Sequence, residues 1–220
     1  MALSFVGAGA VGTRANAIAV LPTGHTAGDL LILVGSSAGG FATPVGWTIG
    51  ILNLDSSNTN LSLWYKIDSG LEVNVASGNS STFTVFAMMA YRGIAASPLD
   101  IANFGDDSSG SAVFSIATSS ITTTKTNDLV ISLFAQRRRT GETWTAPAST
   151  TARITQSGTA LTNALLSVDE NAASAGATTV RTATSAIDQN MSSFAIAFFE
   201  SSTSGTFDIF STYSLFYSCN

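Results

Sequence analysis

Charge is scarce in this chain. Of 220 residues, 9 are basic and 14 acidic, giving a net charge of -5 and a pI near 4.6. So few cations, outnumbered by anions, exclude the electrostatic footprint that a phosphate backbone requires, so no nucleic-acid partner is expected. Cysteine is scarcer still. Cys219 stands alone, which excludes an intrachain disulfide framework and a thiolate-built zinc site. Histidine is also single, at His25. The longest apolar runs, such as Leu30 to Val34 and Phe83 to Ala90 with its one Thr, fall far short of the ~18 residues a membrane span needs, and no basic stretch precedes the N-terminal apolar segment. The sequence predicts a soluble protein, neither secreted nor membrane-associated, with no metal, no cofactor and no catalytic residues.

In place of charge stand 59 Ser and Thr and 19 Gly, beside a hydrophobic content of 45%. That apolar share excludes disorder driven by polarity. The composition favours strands and tight turns over helices. Period-2 alternation points the same way: Leu61, Leu63 and Tyr65 share one face of an extended segment, as do Phe83, Val85, Ala87, Met89 and Tyr91, and later Phe194, Ile196 and Phe198. Short runs rich in bulky or β-branched residues (Asp29 to Val34, Val113 to Ala117, Asp128 to Phe134, Ala164 to Val168) read as further strands. Turn-forming clusters separate them at Gly39-Gly40, Thr43 to Gly46, Asp55 to Asn60, Asp106 to Gly110, Gly141-Glu142 and Ala172 to Gly176. The expected fold is an all-β, jelly-roll-like sandwich of about a dozen strands.

An internal repeat organises the chain. Ala27 to Leu33 aligns with Thr126 to Ser132 at an offset of 99, Trp47-Thr48 with Trp144-Thr145 at 97, Leu61 to Asp68 with Thr162 to Asp169 at 101, and Phe86 to Tyr91 with Phe194 to Phe199 at 108. Four landmarks in one order predict two related halves, residues 1–100 and 101–200, forming a single sandwich domain. After Ser201 the composition changes. A polar hinge leads into Phe207, Ile209, Phe210, Tyr213, Leu215, Phe216 and Tyr217, which place apolar side chains on both faces of an extended segment. Residues 201–220 are thus either a last strand or an arm that docks on another subunit.

Several motifs resemble chemistry and fail on context. Gly7 to Gly12 fits G-x-G-x-x-G, yet a dinucleotide site needs a helix after the glycines and an acid ending the next strand, whereas Asp29 begins one. A glycine-rich strand or loop is the better reading. Gly35-Ser36-Ser37-Ala38-Gly39 fits the nucleophile elbow, but no helix follows and His25 lies upstream. His25 reads as a turn residue. Asp55 to Asn60 and Asp106 to Gly110 read as solvated turns rather than calcium loops. Asp169-Glu170 are adjacent, which does not place two carboxyls across a cleft as glycoside hydrolysis requires. The one cation cluster, Arg137-Arg138-Arg139, is a solvated loop or a patch facing an anion or a partner.

Val6-Gly7-Ala8, Ala27 to Leu33, Thr43-Pro44-Val45-Gly46-Trp47-Thr48, Leu63-Trp64-Tyr65-Lys66 and Ala90-Tyr91-Arg92-Gly93 together resemble a recurrent β-rich family encoded among structural genes of tailed bacteriophages. The resemblance covers residues 3–95 and reaches the second half only through the repeat. It implies a non-enzymatic virion protein, assembled in the host cytoplasm and exposed on the virion surface. Such a protein decorates the capsid or forms part of a fibre or tail. Its partners would be the major capsid protein or other fibre and tail proteins, and copies of itself in a homo-oligomer such as a trimer. The alternative is a tail-fibre module that recognises a host glycan through exposed Trp47, Trp64 or Trp144.

Overall fold

The computed structural model describes residues 3–54, 59–103 and 112–201. The arm residues Phe207 to Tyr217 and the acidic loops at 55–58 and 106–110 lie outside them. The first half of the chain contributes β1 (Ser4–Ala8), β2 (Gly12–Thr13), β3 (Ile18–Ala19), β4 (Leu30–Ser37), β5 (Thr48–Leu54), β6 (Asn60–Ile67), β7 (Val75–Ala76) and β8 (Val85–Arg92). The second contributes β9 (Ile94–Asn103), β10 (Val113–Ala117), β11 (Thr122–Thr123), β12 (Asp128–Gln136), β13 (Trp144–Thr145), β14 (Thr151–Gln156), β15 (Ala164–Ala172), β16 (Gly176–Ala177), β17 (Thr182–Gln189) and β18 (Met191–Glu200). Among the described residues no helix forms, so the fold is all-β.

Two large antiparallel sheets dominate. One runs β1-β8-β4-β6-β5, with β2 also on β8, and the other runs β9-β18-β12-β15-β14. Their facing sides share one core, in which Leu30, Ile32, Val34, Leu63 and Met89 of the first sheet meet Leu129, Ile131, Leu133, Phe194 and Ile196 of the second. A jelly roll distributes both ends of the chain over both sheets. Here residues 4–92 fill one large sheet and residues 94–200 the other.

Both outer faces are covered too. Leu31, Leu33, Trp64, Phe86 and Met88 pack under Ala17, Ala19, Phe41 and Trp47, while Phe134, Leu166 and Met191 pack under Ile116 and Ala183. This is why Leu30 to Val34 and Leu129 to Phe134 are almost continuously apolar: the central strands β4 and β12 are buried along their whole length, and alternation survives only as a division between two cores. The polar C-terminal ends of these strands are satisfied internally. Ser37 Oγ lies 3.1 Å from Thr84 Oγ1 and accepts from Asn79 Nδ2 at 3.1 Å, so the would-be nucleophile is a buried structural hydroxyl. In the glycine-rich stretch, β1 pairs with β8, and Gly9 lies so close to the backbone of Val20 that a Cβ has no room. The glycines permit close backbone approach, with no helix and no phosphate cradle.

Hydrogen-bond register matches positions between the sheets. Leu30 sits between Ile67 and Tyr91, and Leu129 between Asn171 and Phe198. Setting β4 against β12 at the offset of 99 aligns these neighbours strand for strand. The other landmarks move: Ser36 faces Leu61 and Ala135 faces Leu165, which sets β6 against β15 at 104 rather than 101. For β8 and β18 the offset is 107 rather than 108. Thr48 faces Tyr65 and Thr151 faces Asp169, so β5 answers to β14, while Trp144 lies in the small outer sheet β10-β17-β13. Shifts of one and three are odd, and an odd slip turns every side chain of a strand to the other face.

Candidate functional site: a cleft at one edge of the sandwich

At the edge where β1 faces β14, the two sheets part around a cleft of about 490 Å³. Buried Tyr91, Leu129 and Asp169 form its floor, half-buried Phe5 and Arg153 its walls, and exposed Ser4, Ser149, Thr151 and Asn171 its rim. Register puts these side chains together. Phe5 of β1 lies opposite Tyr91 of β8, with their ring centroids 5.2 Å apart at 61°. Asp169 of β15 lies opposite Ile131 and Thr151. Arg153 occupies the register shift between Ala152 and Ile154, where β14 bulges and re-aims a side chain.

The floor is ionic and aromatic at once. Arg153 Nε donates to Asp169 Oδ2 at 2.7 Å, and its guanidinium lies 4.2 Å from the Phe5 ring centroid. Tyr91 shares the floor with Asp169; burial first, and the Asp169 charge second, push its pKa well above the usual tyrosine value. Glu170 turns to the opposite side and takes Arg181 in a two-pronged pair, its Oε1 accepting from Nε at 2.7 Å. Asp169 and Glu170 are thus each matched to an arginine and face apart.

The opposite edge of the sandwich holds the matched positions. Register sets Tyr65 against Asp169, Phe198 against Tyr91, Leu30 against Leu129, Leu99 against Phe5 and Gly50 against Arg153. There the space is filled. Tyr65 and Phe198 meet edge to face at 5.3 Å, and a Cβ on Gly50 would sit 2.5 Å from Leu63 Cδ2 and 3.0 Å from Ile196 Cδ1. One edge is a sealed apolar seam. The other holds a half-buried ion pair beneath open space.

Matched carboxylates also differ at the turns leading into β4 and β12. Asp29 Oδ2 accepts from Thr26 N at 2.8 Å and Asp128 Oδ2 from Lys125 N at 3.3 Å, after Gly28 and Asn127, both at positive φ (92° and 62°). Arg92 clamps Asp29 with Nε at 2.8 Å and Nη2 at 2.7 Å. Burial alone raises the Asp29 pKa, but Arg92 and Thr26 outweigh it and hold the carboxyl below its usual range. Phe199 stands where that arginine would be, beneath the Lys125 ammonium at 3.8 Å, and Asp128 faces Asp100 instead. Burial and the second carboxylate push Asp128 up to about 7. Glu142, buried with only Gly158 N donating to it at 2.5 Å, is likewise raised to about 7 by burial.

Other expected sites fare differently. Of the cation cluster, Arg138 lies flat on Phe83 at 3.5 Å, Arg139 reaches Asp188 only at 3.9 Å on the exposed surface, and the Arg137 backbone bonds Asn190. Trp64 is fully buried and Trp47 nearly so, which corrects the expectation that they are exposed glycan-reading aromatics; Trp144 is half-buried against Phe134. His25, expected in a turn, lies between two turns and is partnered, with Nδ1 2.6 Å from a buried Asp68 carboxylate. Among the described residues no group of three or more His, Cys, Asp or Glu gathers as a metal site. The cleft does not show in the sequence because its parts span 168 positions, from Leu3 to Asn171. Its one local signal is an acid, Asp169, inside an apolar strand.

The fold and cleft define an all-β protein with a polar inter-sheet site. No family model, curated protein or solved structure matches the chain.

Proposed function

We propose that the protein is a non-enzymatic structural component of a tailed-bacteriophage virion, built from two related halves, that decorates the capsid or forms part of a head-attached fibre as a homo-oligomer. The observation that carries this reading is where the motifs of the resemblance fall. The turn Ala27 to Asp29 and the end of β8 at Arg92 are locked by the Asp29–Arg92 clamp, Leu63 to Lys66 form the middle of β6, and Trp47 covers the outer face of the first sheet. All of them serve architecture. Matched strand order and register in the two sheets support the relation between the halves.

The test is cosedimentation with undecorated phage heads, for the whole chain and for a chain ending at Ser201. Binding that requires residues 202–220 is the expected result. No sedimentable binding by either form overturns the capsid role. The polysaccharide-recognition alternative loses Trp47 and Trp64 as exposed readers and needs a site elsewhere on the surface.

A further inference from the structure

The geometry points to a saccharide-binding site in the cleft between β1 and β14, a site independent of the tryptophans and of the protein's place in a virion. It rests on the polysaccharide reading of the surface and gives that reading a location.

The first reason is the comparison of the two edges. At the matched positions the other edge closes with Tyr65, Phe198 and Gly50, an apolar filling in place of Asp169, Tyr91 and Arg153. An ion pair with a buried carboxylate is rarely the most stable filling for such a place, and its presence in an open cleft calls for something to recognise. The second reason is strain. Ser149 on the rim is a non-glycine residue at φ 63°, in a tight turn where Thr150 Oγ1 donates to Pro147 O at 2.8 Å. Such outliers concentrate at binding sites.

The chemistry of the lining selects the ligand. The floor is charge-balanced, with Arg153 against Asp169, and Glu170 at its border is already matched to Arg181 on the other side of the sheet, so the cleft recruits neither an anion nor a cation. The rim offers three hydroxyls and an amide, Ser4, Ser149, Thr151 and Asn171, groups that both donate and accept. A polyhydroxylated ring answers both roles with each hydroxyl. Arg153 has its Nε committed to Asp169 and adds a planar cation above Phe5. The volume falls within the range of about 300–1,000 Å³ usual for small-ligand sites.

Titration of isotope-labelled protein with maltose, cellobiose, lactose and chitobiose, followed by amide resonances, tests this. At least one disaccharide is expected to shift Ser149, Arg153 and Asn171, and Asn171→Ala or Ser149→Ala, both exposed and harmless to folding, should weaken that binding about fivefold, the equivalent of one hydrogen bond. If none of the four moves these resonances, or the shifts map away from the cleft, the inference is overturned. Arg153→Gly should abolish binding while head cosedimentation persists; head binding by the wild-type protein with no saccharide binding overturns the cleft site and leaves the virion role standing.

Discussion

The two edges of this sandwich do different things with matched positions. Where β9 meets β5, Tyr65, Phe198 and Gly50 close the core against water; where β1 meets β14, Asp169, Tyr91 and Arg153 hold a polar floor beneath a cleft. The turns repeat the lesson on a smaller scale. Asp29 has an arginine and Asp128 has another acid. Corresponding strands of the two sheets thus carry opposite side-chain chemistry at their matched positions.

The largest effect is expected from forcing the cleft's arginine into the seam. Gly50→Arg overpacks against Leu63 and Ile196 and buries an unpaired charge. That combination destabilises by about 5 kcal/mol or more and should leave little folded protein by denaturant melt. Next is Arg153→Met, which strands the Asp169 carboxylate. The Arg153 side chain is 26% exposed, so solvent screens part of the pair. The loss should be about 2 kcal/mol, below the roughly 3–5 kcal/mol seen when a fully buried pair is broken.

The turn carboxylates should respond to pH with opposite signs. A carboxyl held below its usual range, as Asp29 is, stabilises the fold above about pH 4, and that contribution disappears as acid protonates it. Asp29→Asn should therefore weaken the protein by about 2 kcal/mol at pH 7 and by much less at pH 3. Asp128 is raised from 3.8 to about 7, so it remains protonated in the fold while the unfolded chain ionises. Its stabilisation is whole below about pH 4 and fades as pH climbs to 7. Asp128→Asn should be near neutral at pH 4 and gain about 1 kcal/mol over wild type at pH 8. Urea melts at pH 3 and 7 for Asp29→Asn, and at pH 4 and 8 for Asp128→Asn, check both. If Asp29→Asn and Asp128→Asn show the same pH trend, the contrast between the turns fails. The smallest effects belong to the arginine triplet, where Arg138 has its Phe83 contact and Arg139 only a long surface pair. Arg138→Ala should lose about 0.5–1 kcal/mol, and Arg139→Ala nothing measurable.

The central strands are legible in the sequence because burial on both faces leaves an unmistakable apolar run, as at Leu30 to Val34 and Leu129 to Phe134. The edges are not. Thr151–Gln156 buries only Ile154, and Ile94–Asn103 carries Pro98, tolerated because β9 lies at a sheet edge. The internal offsets can be read to within three residues but not to parity, since short motifs such as Leu61 to Asp68 align almost equally well one or three residues away while the pleat admits only one face. The cleft escapes for a related reason: it exists only once Phe5, Tyr91, Arg153 and Asp169 are brought together from four strands.

The most direct test is to give the cleft the seam's residues. The triple substitution Tyr91→Phe, Arg153→Gly and Asp169→Tyr copies Phe198, Gly50 and Tyr65 onto the opposite edge, and its urea midpoint is the measurement. A midpoint equal to or above wild type, with no saccharide-induced resonance shifts, is the predicted result. A midpoint lowered by the equivalent of about 2 kcal/mol or more would contradict it, because the ion pair would then be part of what holds the two sheets together.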